Sequence, residues 1–296
     1  MKNITLEELL EAGCHFGHQV TRQNPRAREF VFEARDGIHI IDLAKTKEGL
    51  DEALLFIKSI GEKNGSLLVV GTKRQAQPIV EEETKRAQEA IANAQKEGVS
   101  PDLFVITKRW TGGLLTNHQA VEKNFKRLKD LAELLKNDEA RRHYTKKELG
   151  LFEKEKQKLE SFYSGVADMK TMPSVIFVVD THLENLAVRE ANRMNIPVVG
   201  IVDTNADPDP IQYVIPANDD AVGSIKLLVG AVMNAWVEGK LSKKAETKSI
   251  EKKEIKPAKE KSVSEAADVN KVVQSQKKTV THKKKTSTKD VEKEKI

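Results

Sequence analysis

Five aspartates fall within twenty residues, at 203, 207, 209, 219 and 220, in the stretch VDTNADPDPIQYVIPANDDA. The stretch follows the apolar run beginning at Pro197, so Asp203 stands where a buried strand would end, as Asp180 does after SVIFVV. Open α/β sheets take their ligands at such strand ends. Asp180, Asp203 and Asp207 could hold Mg²⁺ through water and support a metal-dependent α/β enzyme. That chemistry also needs a nucleophile, a base or a phosphate cradle in the same place. The chain has no H-E-x-x-H, no G-x-S-x-G, no Walker loop and no dinucleotide fingerprint. Asp207-Pro-Asp-Pro reads equally well as turn chemistry, and Asp219 and Asp220 as caps of a following helix. The expectation is no catalytic residue and no cofactor, with at most a weakly bound Mg²⁺ near Asp203 and Asp207.

Three other segments suit phosphate oxygens. GCHFGHQVTRQNPRAR (13–28) sets Arg22, Arg26 and Arg28 around Asn24-Pro25. Its Cys14, His15 and His18 match no usual zinc-ligand spacing. VVGTKRQAQ (69–77) puts Lys73 and Arg74 between a strand and a helix, where backbone N–H groups and cations together can seat a phosphate. KRWTGGLLTN (108–117) offers Arg109 beside Trp110, while Gly112-Gly113 permits close backbone approach. Trp110 reads better as core packing that anchors the start of a helical segment than as a stacking plane.

The elements that must position these residues are legible in the patterning. The chain has 296 residues, 39% hydrophobic and 32% charged, enough for a real core. The net charge of +5 hides a split: from Lys240 onward eighteen lysines face nine carboxylates, leaving 32 basic and 36 acidic residues in 1–239. Any nucleic-acid surface on the body must therefore be local. One cysteine excludes an intrachain disulfide and suits a reducing cytoplasm. The longest apolar run, 227–237, is too short for a bilayer. A soluble cytoplasmic protein is expected.

Thr5 and Glu8 have capping-box spacing for a first helix. Residues 30–43 read as two extended segments around Asp36-Gly37. Helices over 45–63, 75–96, 183–195 and 219–238 then alternate with strands at 66–70, 103–106, 174–180 and 196–203. That order predicts a parallel sheet covered on both faces. Between them, Val121, Phe125, Leu128, Ala132 and Leu135, then Leu149, Phe152, Lys156, Leu159, Tyr163 and Val166, form two heptad stripes. They predict an antiparallel coiled-coil hairpin at about 117–167. The α/β body is set at 1–240. Residues 241–296 lack aromatics and any sustained apolar period, and are expected to be a disordered Lys-rich tail.

Six motifs, read in order, add a resemblance. They are GCHFGHQ (13–19), RDGIHIIDL (35–43), VGTKRQAQ (70–77), RWTGGLLTN (109–117), VDTNADP (202–208) and IPANDDA (215–221). Together they resemble the bacterial small-subunit ribosomal protein S-two family over about residues 3–238. The resemblance implies a flavodoxin-like α/β domain with a protruding hairpin. It also implies a non-enzymatic protein that binds small-subunit ribosomal RNA on the back of the particle, between head and body. Neighbouring ribosomal proteins, including the large mRNA-binding protein S-one, are the implied partners, with no membrane and no small-molecule substrate. Gln23, Ala206 and Gly223 depart from the family's usual residues, and the link at 88–105 is longer than usual.

Overall fold

The computed structural model describes residues 3–94 and 101–254, with side chains to 242. Part of the long link at 88–105, and the expected tail from 255 on, lie outside the described residues.

The first fifty residues build an antiparallel layer. α1 (Leu6–Glu11) starts on the Thr5–Glu8 capping box, in which each side chain bonds the other's backbone N–H. β1 (Phe16–Gln19), β2 (Val31–Arg35) and β3 (Ile38–Ile41) form a three-stranded sheet in the order β1-β3-β2. The β2–β3 hairpin turns at Asp36-Gly37, where φ is +51° and +79°, so both positions need residues that tolerate the left-handed region. β1 lies inside the segment expected to be a basic loop: Phe16–Gln19 is too short to show an alternation. Helix α2 (Leu43–Glu62) comes next, capped by Asp42, whose side chain accepts from the Ala44 N–H.

The main sheet is parallel throughout. β4 (Leu67–Val70), β5 (Leu103–Ile106), β6 (Val175–Val178), β7 (Val198–Val202) and β8 (Tyr213–Pro216) lie in the order β5-β4-β6-β7-β8. Counted from β4 this is 2-1-3-4-5, a doubly wound order. β4, β6 and β7 are buried at every residue. Alternate side chains serve two cores: Val69, Phe177 and Ile201 face one, Val70, Val178 and Val202 the other. Burial on both sides is why these strands read as continuous apolar runs. The first core takes residues from α2, α3 (Ala76–Ala94) and the last helix; the second takes α7 (Asn185–Arg193). β8 is not evident in the sequence because Tyr213-Val-Ile-Pro ends in proline, which argues against a strand.

Between β5 and β6 come α4 (His118–Lys136), the short α5 (Asp138–Arg141) and α6 (Lys146–Tyr163). α4 packs on α6. Phe125 meets Tyr163 edge to face at 5.5 Å, and Arg127 makes a double hydrogen bond with Glu155. The stripe is buried near its base, at Val121, Phe125, Leu128 and Tyr163, and half-exposed farther out. Thr145 and Glu148 form the expected capping box on α6. The final helix, α8 (Val222–Glu254), passes through the boundary set at 240. Residues 241–254 contain no Gly or Pro and are rich in Lys, Glu and Ala, so the helix continues on propensity where no apolar period is present. Lys240 is buried, donating to Gly65 O at 2.8 Å and Asp102 Oδ2 at 2.9 Å.

Candidate functional site

The carboxyl ends of β4, β6, β7 and β8 bring their following residues together. Lys73, three residues beyond β4, lies 3.2 Å from Asp180 Oδ2, 2.7 Å from Asp219 Oδ1 and 2.6 Å from Asp220 Oδ1. Burial opposes its charge, but Asp219 and its neighbours outweigh that and hold the ammonium above the ordinary lysine value. The phosphate seat expected at Lys73 is thus filled by carboxylates from later strands. Arg74 beside it is exposed, with no ion pair among the described residues.

β1 closes this cluster from the amino-terminal side. The His18 N–H donates to Thr204 Oγ1 at 2.9 Å. Its ring bridges two carboxylates, Nδ1 3.1 Å from Asp203 and Nε2 3.4 Å from Asp220. The Asp203 hydrogen bond raises the imidazole pKa against the burial that would lower it. Asp219 is pushed up to about 7, first by burial and then by Asp180 and Asp203, with Lys73 opposing. Its Oδ2 is buried and accepts no hydrogen bond among the described residues. Donor atoms of His18, Asp203 and Asp219 lie within 4.8 Å of one another, an imidazole-plus-carboxylate set of the kind that takes a divalent cation.

That set differs from both acidic sets read from sequence. Asp207 lies on the loop after β7, where its Oδ1 accepts from the Asp209 N–H and its Oδ2 from Arg26 at 2.9 Å. Arg26 also reaches Asp209 at 2.8 Å. Asp207 is therefore neither a partner of Asp180 and Asp203 in a metal-dependent active site nor the second ligand of an Mg²⁺ near Asp203. Arg26, expected on phosphate, is tied to carboxylates. Arg22 and Arg28 flank it on the 3₁₀ turns at 20–22 and 25–30; both are exposed without an ion pair among the described residues.

The third segment is organised by a residue the sequence reading missed. Glu190, on α7, is buried, and its carboxylate accepts from Trp110 Nε1 (3.1 Å), the N–H groups of Gly113 (2.8 Å), Leu115 and Thr116 (both 3.2 Å), and the Thr116 hydroxyl (3.1 Å). Burial alone would raise its pKa; these donors, led by the Gly113 N–H, bring it below the ordinary value. Gly113 has φ +88°, which turns the chain so that several N–H groups point at one carboxylate. Gly112 passes Leu186 closely enough that an added Cβ would sit 3.4 Å from it. Trp110 is buried, in the packing role expected. The one available signal was Glu190 on the apolar face of α7 beside Ala187 and Ala191. Arg109 is exposed at the lip of a hollow of about 320 Å³ between this loop and α6.

The geometry is that of a doubly wound α/β domain whose strand ends carry a cluster of mutually paired side chains, with arginines exposed on its loops. The family model described as Ribosomal protein S2 matches residues 9–239, and the chain belongs to that family. It is a structural protein of the small ribosomal subunit and serves translation; the family is not one of enzymes. Among the described residues, no helix is long and apolar enough to cross a membrane.

Proposed function

We propose that the chain binds small-subunit ribosomal RNA on the back of the particle, between head and body, and helps attach the large mRNA-binding protein S-one. It works in the cytoplasm, on the ribosome, beside neighbouring small-subunit proteins. The observation that carries the RNA reading is that Arg22, Arg28, Arg74 and Arg109 are exposed on loops without ion pairs among the described residues. On a body with more carboxylates than cations, free arginines at loops are the groups available to phosphate oxygens. Lys73 and Arg26 drop out of that contact set. The position on the particle and the link to S-one rest on family membership.

Co-sedimentation tests the reading. The protein should travel with small subunits, and its affinity for their RNA should fall steeply with salt. A protein that stays at the top of the gradient, or binds with no salt dependence, would overturn it.

A further inference from the structure

The hollow beside Arg109 differs from two others on the body. Those carry carboxylates, Glu83 and Glu238 in one and Glu81, Asp102 and Asp168 in the other. The hollow at the base of the helical hairpin carries none; it is lined by Arg109, Trp110, Lys158, Phe162 and Tyr163 among others. Arg109 and Lys158 are both exposed, and neither side chain has a hydrogen bond or ion pair among the described residues. The aromatic wall is held from behind: Tyr163 OH takes the Asn124 amide at 3.3 Å, and its ring packs edge to face on Phe125. Trp110 is pinned by Glu190. Two exposed cations lining an aromatic-walled hollow make a site for a planar group that carries negative charge on its flanks.

We propose that this hollow receives one unstacked nucleotide of a single-stranded RNA segment. The base enters between the Trp110 loop and Phe162, and the phosphates on either side meet Arg109 and Lys158. This rests on the RNA-binding reading above and specifies the kind of RNA it takes. Two features select it. The volume of about 320 Å³ lies at the small end of ligand pockets and fits one base rather than a pair. A stacked base in a duplex cannot enter, whereas a looped or bulged one can lie on an aromatic wall.

Trp110 supplies the readout, because the chain's other tryptophan, Trp236, is fully buried in the opposite core and gives a constant background. The full chain is titrated with a single-stranded RNA of about ten nucleotides and with the same sequence as a duplex. The single strand should quench Trp110 and bind more tightly. Arg109→Ala and Lys158→Glu should each lower the salt slope by about one unit or more. Phe162→Leu, which keeps apolar bulk, should weaken binding about tenfold with the slope unchanged. Circular dichroism checks that each variant is folded.

Equal binding of the duplex, equal quenching by poly-glutamate, or folded variants with unaltered affinity would each overturn the assignment. If wild type and all three variants bind small-subunit RNA alike, the hollow falls and the RNA-binding reading stands on Arg22, Arg28 and Arg74. If wild type binds no ribosomal RNA, both fall.

Discussion

Lys73 and Arg109 each follow a parallel strand by three residues, on neighbouring strands in register, Val70 opposite Ile106. The domain treats the two cations in opposite ways. β4 lies inside the sheet, and the loops after β6 and β8 fold their aspartates over its end, so Lys73 is held by three carboxylates. β5 is the edge strand; among the described residues no further strand end lies beyond it to supply a counter-ion, and Arg109 is left exposed. A basic residue after a strand is thus a counter-ion or a contact according to its place in the sheet, which the local motif does not encode.

The most damaging way to probe the contrast is Glu190→Ala. It leaves the donors of Trp110, Gly113, Leu115 and Thr116 unsatisfied near the buried side of the Arg109 loop, and should cost about 3 kcal/mol or more. Glu190→Gln keeps one carbonyl acceptor and should lose less. Urea denaturation measures both, and a loss under about 1 kcal/mol for the alanine variant would mean that the loop is not built on Glu190.

The same carboxylate gives a pH signature. Its folded pKa is depressed, so its stabilisation is present above the ordinary value of 4.5 and is lost as pH falls through the folded value. Wild type should therefore lose more stability than Glu190→Gln on acidification below about pH 4.5. Parallel acid-unfolding curves would contradict this.

Lys73→Met leaves Asp180, Asp219 and Asp220 facing one another without their cation. The expected loss is about 2–3 kcal/mol, below that of a fully buried pair because Asp220 is half-exposed. The folded variant should bind RNA as wild type does. A salt slope lowered by about one unit would instead return Lys73 to the contact surface.

Smaller effects separate the arginines of the amino-terminal segment. Arg22→Ala and Arg28→Ala should each lower the salt slope of RNA binding by about one unit while changing stability by about 0.5 kcal/mol at most. Arg26→Ala should do least, since its pairs with Asp207 and Asp209 are on the surface: about 0.5 kcal/mol or less, with the slope unaltered. A slope that drops for Arg26→Ala would show that phosphate displaces the aspartates.

Much of the scaffold was legible because its determinants are local. Thr5 and Thr145 cap helices through residues three positions on, Asp36-Gly37 turns a hairpin, and the buried strands announce themselves by runs of Leu, Val and Ile. β1 and β8 were not legible, being short and held mainly by pairing with β3 and β7. The far end of α8 was missed for the opposite reason: helix propensity carried it past the last apolar residue of the core.

The sequence by itself determined a parallel α/β sheet covered on both faces, the helical insertion, the absence of catalytic motifs and, through six ordered motifs, the resemblance to the family. These depend on residues close together in the chain. Only the tertiary structure decided which charges are spent and which are free. Lys73 meets Asp219 across 146 positions, Arg26 meets Asp207 across 181, and Glu190 reaches Trp110 across 80. Charge neutralisation depends on distance in space, and strand order sets that distance. Sheet topology therefore left Arg109 exposed and Lys73 enclosed.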